Sequence, residues 1–201
     1  MLPDFVKSTE SIADWKNCYP WEITSQASGI VTNWLLFLPG EFNISNNVAI
    51  HQTAIIEQGV VLKGPAIIGP GCFVGAHAYL RSGVFLGSRV SVGPGCEIKS
   101  SFLFDETALA HFNFVGDSIV GSNVNMEAGA VIANHYNERA DKEIVSSWNN
   151  SAVRTGVVKF GALVGDNARL GANSVLSPGT ILQPGAVVGR LELIDQLKGK
   201  F

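Results

Sequence analysis

Two cations and one histidine carry the first chemical signal in this chain. Arg81 and Lys99 lie eighteen positions apart, each directly after an aliphatic residue, Leu80 and Ile98. A guanidinium can grip a phosphoryl group through two parallel hydrogen bonds, and an ammonium adds a compact positive charge beside it. His111 follows twelve positions after Lys99. An imidazole of ordinary pKa can take a proton from an amine as that amine attacks an acyl carbonyl. The other histidines, His51, His77 and His135, form no close pair within one loop. A zinc hydrase needs three histidines converging on the metal, so no metal site is expected. The cysteine count is odd, and Cys72 and Cys96 fall at inward small positions, which suits core filling in a reducing cytoplasm.

A repeat of six must position these residues. Aliphatic side chains recur at Ile44, Ile50, Ile56, Leu62, Ile68, Val74, Leu80, Leu86, Val92 and Ile98, then slip by one to Leu103, Leu109 and Val115. A second slip leads to Val120, Met126 and Ile132, and the series resumes from Val158 to Val188. Small or branched residues such as Ala54, Cys72, Ala78 and Val90 follow four places after each aliphatic. A helix repeats near 3.6 and a lone strand at 2, so a period of six predicts a solenoid of short strands joined by turns. The fold class is therefore an all-β solenoid, a parallel β-helix of hexapeptide repeats. Gly-Pro pairs such as Gly69-Pro70-Gly71 supply corners. In this register Arg81 and Lys99 stack outward on successive coils, about 4.8 Å apart. Two cations so close repel unless an anion lies between them, which points to an anion site; the bland alternative is a solvated pair neutralised by Glu97 or Asp105.

Outside the repeat, residues 1–40 predict a helical cap over the open first rung, with one helix opening at Pro20-Trp21-Glu22 and closing at Pro39-Gly40. The β-helix is expected over 41–190. A polar stretch near 134–156 interrupts it and reads either as a projecting binding loop or as a disordered one. Residues 191–201 read as a short amphipathic helical tail. The net charge of −3 gives no basic footprint for nucleic acid or an anionic membrane, and no apolar run approaches a membrane span. The first residues carry no signal-peptide pattern, so a cytoplasmic protein is expected.

The stretch GCEIKSSFLFDETALAHFNFVGDSIVGSNVNMEAGAVIANHY, residues 95–136, gives the next clue. With PWE, IHQTAII and AYLRSG before it, it resembles the acetyltransferase domain of the bifunctional N-acetylglucosamine-1-phosphate uridyltransferase/glucosamine-1-phosphate acetyltransferase, and related sugar-1-phosphate nucleotidylyltransferases. The resemblance runs over roughly residues 20 to 190. It implies a left-handed coil, with His111 as general base, Arg81 and Lys99 holding the sugar phosphate, and Asn125 and Asn134 lining the sugar and acetyl site. Ala128 and Gly129, with Ala172 on a later coil, match small residues where acetyl-CoA approaches the backbone; their N–H groups could hold a developing oxyanion. It further implies a coenzyme-A-dependent acyltransferase with acetyl-CoA as co-substrate. The acceptor would be a phosphorylated amino sugar of the glucosamine-1-phosphate kind, and the assembly a homotrimer with acyl-CoA between neighbours.

Two residues depart from that pattern. Phe114 stands where the family has a tyrosine three residues after the histidine, and Glu127 stands where a smaller residue is expected. No glycine-rich signature for a nucleoside triphosphate occurs, so nucleotide-sugar synthesis is not expected. These departures motivate the alternative: a catalytically silent β-helix that binds sugar phosphates or regulates a partner.

Overall fold

The computed structural model describes residues 1–197. The chain winds into a parallel β-helix with three flat sides. Sheet 1 begins with Val48–His51 and continues through Ala66–Ile68 to Ala162–Val164 and Thr180–Leu182. Sheet 2 has seven strands, from Ile55–Ile56 to Val187–Val188. Sheet 3 runs from Val61–Lys63 through Phe114–Gly116 to Leu193–Ile194. Strands Tyr79–Leu86 and Glu97–Leu103 turn the corner between sheets 3 and 1 without a break, which joins those two sides into one sheet.

The six-residue period fills the core. Leu80, Leu86, Val92, Ile98, Leu103, Met126 and Ile132 are all fully buried in one column-filled interior. Each contributes roughly 1.5–3 kcal/mol relative to exposure. Cys72 and Cys96 pack there as free thiols, and burial pushes the Cys72 thiol up to about 11. The first residue of each predicted run falls outside the coil. Ile44 is 54% exposed on Phe42–Ser45, a strand antiparallel to Val48–His51, and Val158 is 55% exposed before the last two coils.

The N-terminal segment does not sit over the first rung as expected. Three 3-10 turns and two helices, α1 (Pro20–Ser25) and α2 (Ala27–Leu35), lie flat along sheet 1. The reason is in the sheet: its outward residues Ile67, Phe85, Phe102, Ile119, Leu163 and Ile181 are as apolar as its inward ones. Such a sheet must be covered, and Trp15, Trp21, Val31 and Leu35 cover it. Trp15 meets Phe102 edge-on at 4.8 Å. The single expected helix is broken at Gln26, whose φ of −104° and ψ of 9° leave the helical region. Where α2 begins, Gly83 has φ +92°, and a Cβ there would lie 2.5 Å from the Ala27 carbonyl carbon. Gly83→Ala is expected to destabilise the fold by roughly 1–3 kcal/mol, read as a lower Tm; an unchanged Tm would mean that α2 docks without this close approach.

The interruption after Ile132 is an ordered hairpin, Val145–Trp148 against Ser151–Arg154. It folds back over the helical layer, with Trp148 stacked on Phe5 at 5.6 Å and edge-on to Trp21 at 6.0 Å. Ser146 Oγ donates to the Gly179 carbonyl and Tyr136 Oη to that of Pro178. The expected tail helix is also corrected. Leu193–Ile194 is a strand registered on Val175–Leu176, so Ile194 continues the period six residues after Val188. Residues 198–201 of that expected tail lie outside the described residues.

Candidate active site

Most of the sequence-predicted residues fall at two corners joined by sheet 3. At the corner between sheets 2 and 3, His111, Ala128 and Ala172 occupy equivalent places on successive coils. Gly129 N–H donates to the His111 carbonyl, and Asn173 N–H to that of Ala128. The His111 ring is exposed and makes no hydrogen bond among the described residues. Phe112 beside it holds φ +53°, a conformation that bulky residues rarely adopt, and its side chain is 73% exposed.

The amides of this corner decide what it can bind. Glu57 Oε2 accepts the N–H of Ala76, one coil on, at 2.7 Å. Glu127 Oε2 accepts that of Ala172 at 2.9 Å. The matching place before Ala128 is Ala110, which has no side-chain acceptor. Among the described residues the Ala128 N–H therefore has no partner. Of the three small residues expected at the acyl site, Ala128 offers an open donor one coil from His111. Gly129 and Ala172 have theirs committed.

Arg81 and Lys99 do stack in register, at the corner between sheets 3 and 1. The repulsion argument for an anion between them does not hold, because each has its own carboxylate. Arg81 Nε and Nη2 contact Glu97 Oε1 at 2.8 and 2.7 Å. Lys99 Nζ contacts Asp117 Oδ1 and Oδ2 at 2.9 and 2.7 Å, with side chains only 13% and 8% exposed. Asp105 serves elsewhere, accepting the Ser88 N–H. Asn134 is buried in the same cluster and donates to Asp117 Oδ2 at 2.5 Å. Asp117 was thus missed as the centre of this corner, although it lies in the quoted VGDS motif.

Phe114 links the two corners. It faces outward on sheet 3, and its ring tip and the Asn134 amide both lie 2.8 Å from where a Gly116 Cβ would be. Gly116 is registered beside Lys99. Asn125 lies apart, exposed on sheet 2 near Glu127 and Arg169. Sheet 3 thus presents an imidazole at one end, an aromatic floor in the middle, and a corner of two ion pairs at the other. Among the described residues no three of His, Cys, Asp and Glu converge as metal ligands, and no helix is long and apolar enough to cross a membrane.

Residues 64–158 match the family model of the GMPPB C-terminal domain, and residues 161–189 match that of the hexapeptide repeat of succinyl-transferase. The chain is a left-handed β-helix of hexapeptide repeats. Within that class it belongs with the GlmU-like hexapeptide transferases. It is 36% identical over 183 residues to the bifunctional protein GlmU of Methanococcus vannielii, covering 88% of this chain and 43% of that protein. It is 32% identical over 156 residues to a bifunctional sugar-1-phosphate nucleotidylyltransferase/acetyltransferase of Sulfurisphaera tokodaii, covering 75% and 38%. The chain therefore spans less than half the length of these relatives. A hexapeptide transferase family protein from Anaplasma phagocytophilum overlays with TM-score 0.42 and 16% identity, over 73% of this chain and 72% of that one.

Proposed function

We propose that this chain transfers the acetyl group of acetyl-CoA to the nitrogen of a phosphorylated amino sugar. The observation that carries this reading is the open amide of Ala128 one coil from the unengaged ring of His111. His111 takes the proton as the amine nitrogen attacks the thioester carbonyl. Ala128 N–H meets the oxygen on which negative charge develops. The C–S bond then breaks, and the thiolate leaves with the proton that His111 held. The names of the GlmU and nucleotidylyltransferase/acetyltransferase relatives support the reaction class and a sugar-phosphate substrate.

The acceptor lies along sheet 3 with its amine toward His111 and its phosphate toward Arg81. Arg81 keeps Nη1 uncommitted among the described residues, so it contacts the phosphate directly. Lys99, largely enclosed, acts through Asp117 as a positioning residue. Asn125 and Asn134 orient the donor and acceptor, and Phe114 supplies an apolar surface with no hydroxyl. Three copies around an axis would place the donor in a groove between neighbours.

Thiol release from acetyl-CoA, measured with amino sugars and their 1-phosphates, tests this. Arg81→Ala should raise KM for the phosphorylated acceptor about 10- to 100-fold, the worth of charge-assisted hydrogen bonds. An unchanged KM removes Arg81 from the phosphate site. One observation favours the second reading, binding without turnover: Glu127 closes the Ala172 amide. Saturable sugar-phosphate binding with no thiol release would support it.

A further inference from the structure

Glu127 makes a contact that acyl transfer does not require. Beyond the Ala172 N–H, its carboxylate takes two hydrogen bonds from Arg190, Nε to Oε2 at 2.9 Å and Nη2 to Oε1 at 3.2 Å. Glu57 makes the amide contact of the same corner with no arginine attached. The amide bond is therefore a general corner device, and the guanidinium is what position 127 adds. Arg169 opens into the same groove of about 330 Å³ and has no carboxylate partner among the described residues. Two arginines around one carboxylate leave the groove positive, an anion seat filled by the protein itself.

The distance from the reacting centre identifies the anion. Corner residues step from His111 to Ala128, Ala172 and Arg190, one coil each, as the ladder of corner hydrogen bonds shows. Three steps at the strand spacing span about 14 Å. That is comparable to the reach of an extended pantetheine arm. A thioester at His111 thus brings the donor's diphosphate to Arg190, and a guanidinium is well matched to phosphoryl oxygens.

Resting on the acyltransferase reading above, we propose that Arg190, with Arg169, seats the diphosphate of the coenzyme A donor, and that Glu127 occupies this seat until the donor displaces it. Arg190 also holds the Glu127 carboxyl below the usual carboxylate range, so the plug is charged at neutral pH. The two partners of this ion pair then act on donor binding with opposite signs, which a purely structural pair would not do.

Calorimetric titration of the full chain with coenzyme A is the test. Glu127→Ala should tighten binding about tenfold and Arg190→Ala should weaken it about tenfold. Glu127→Gln, which keeps an acceptor for the Ala172 N–H and loses the charge, should also tighten it. Affinities that move in the same direction for Glu127→Ala and Arg190→Ala, or do not move, overturn the plug. Failure of the wild type and every variant to bind coenzyme A overturns the acyltransferase reading beneath it, a separate result.

Discussion

His111→Ala should lower kcat for acetyl transfer by about 10²- to 10⁴-fold, the usual worth of a positioned general base. Its effect on stability should stay within roughly 0.5 kcal/mol, because the ring is exposed and bonded to nothing among the described residues. Sugar-phosphate binding should persist, since Arg81 and the Asp117 cluster lie at the far end of sheet 3. Steady-state kinetics beside calorimetry and a thermal melt separate these effects. A retained kcat would remove His111 from the chemistry, and a collapsed melting curve would make it a structural corner.

The second large effect is on stability. Asp117 is 8% exposed, accepts both hydrogen bonds from Lys99, and takes a third from Asn134. Asp117→Ala leaves an ammonium and an amide enclosed without an acceptor, at a cost of about 3–5 kcal/mol. At 2–4 °C per kcal/mol for a chain of this size, Tm should fall by roughly 10 °C. Adding Lys99→Met to that variant removes the stranded charge and should recover part of the loss. If Asp117→Ala melts within a degree or two of wild type, the corner is held by its backbone and not by this cluster.

The coil was legible because one rule, an inward aliphatic every sixth residue, governs it without help from distant contacts. The same rule contained more than it was asked for. Ile194 stands six after Val188 and extends the coil, but the pattern Leu191, Leu193, Ile194, Leu197 was read as an amphipathic helix. In every third repeat an apolar residue precedes the inward one, as in Ile67-Ile68, Phe85-Leu86, Phe102-Leu103 and Ile119-Val120. The same doublet at Ile55-Ile56, Val61-Leu62 and Val187-Val188 leaves its outward residue exposed on the other two sides, so the doublet alone does not tell which side the N-terminal helices cover. The hairpin at 145–154 was not legible, because Trp148 finds its partners in Phe5, Tyr19 and Trp21, more than a hundred residues away.

Among the candidate site residues, spacing placed Arg81 and Lys99 on adjacent coils, and of the two neutralisers the sequence offered Glu97 does pair with Arg81, whereas Asp117 beside Lys99 was missed. Glu97 lies two positions before Lys99 on the same strand, and Asp117 reaches back from the next coil. Charge pairing across coils depends on which way each side chain turns at a corner, and the period is silent on that. The open amide of Ala128 was equally hidden, since it follows from what is missing at Ala110.

Mass analysis of the acceptor after incubation with acetyl-CoA tests the central claim most directly. The account predicts one acetyl group gained on the nitrogen of an amino sugar 1-phosphate, with none on the unphosphorylated sugar and none when His111→Ala replaces the wild type. An acceptor recovered unchanged from a folded protein that binds both it and coenzyme A would contradict the account.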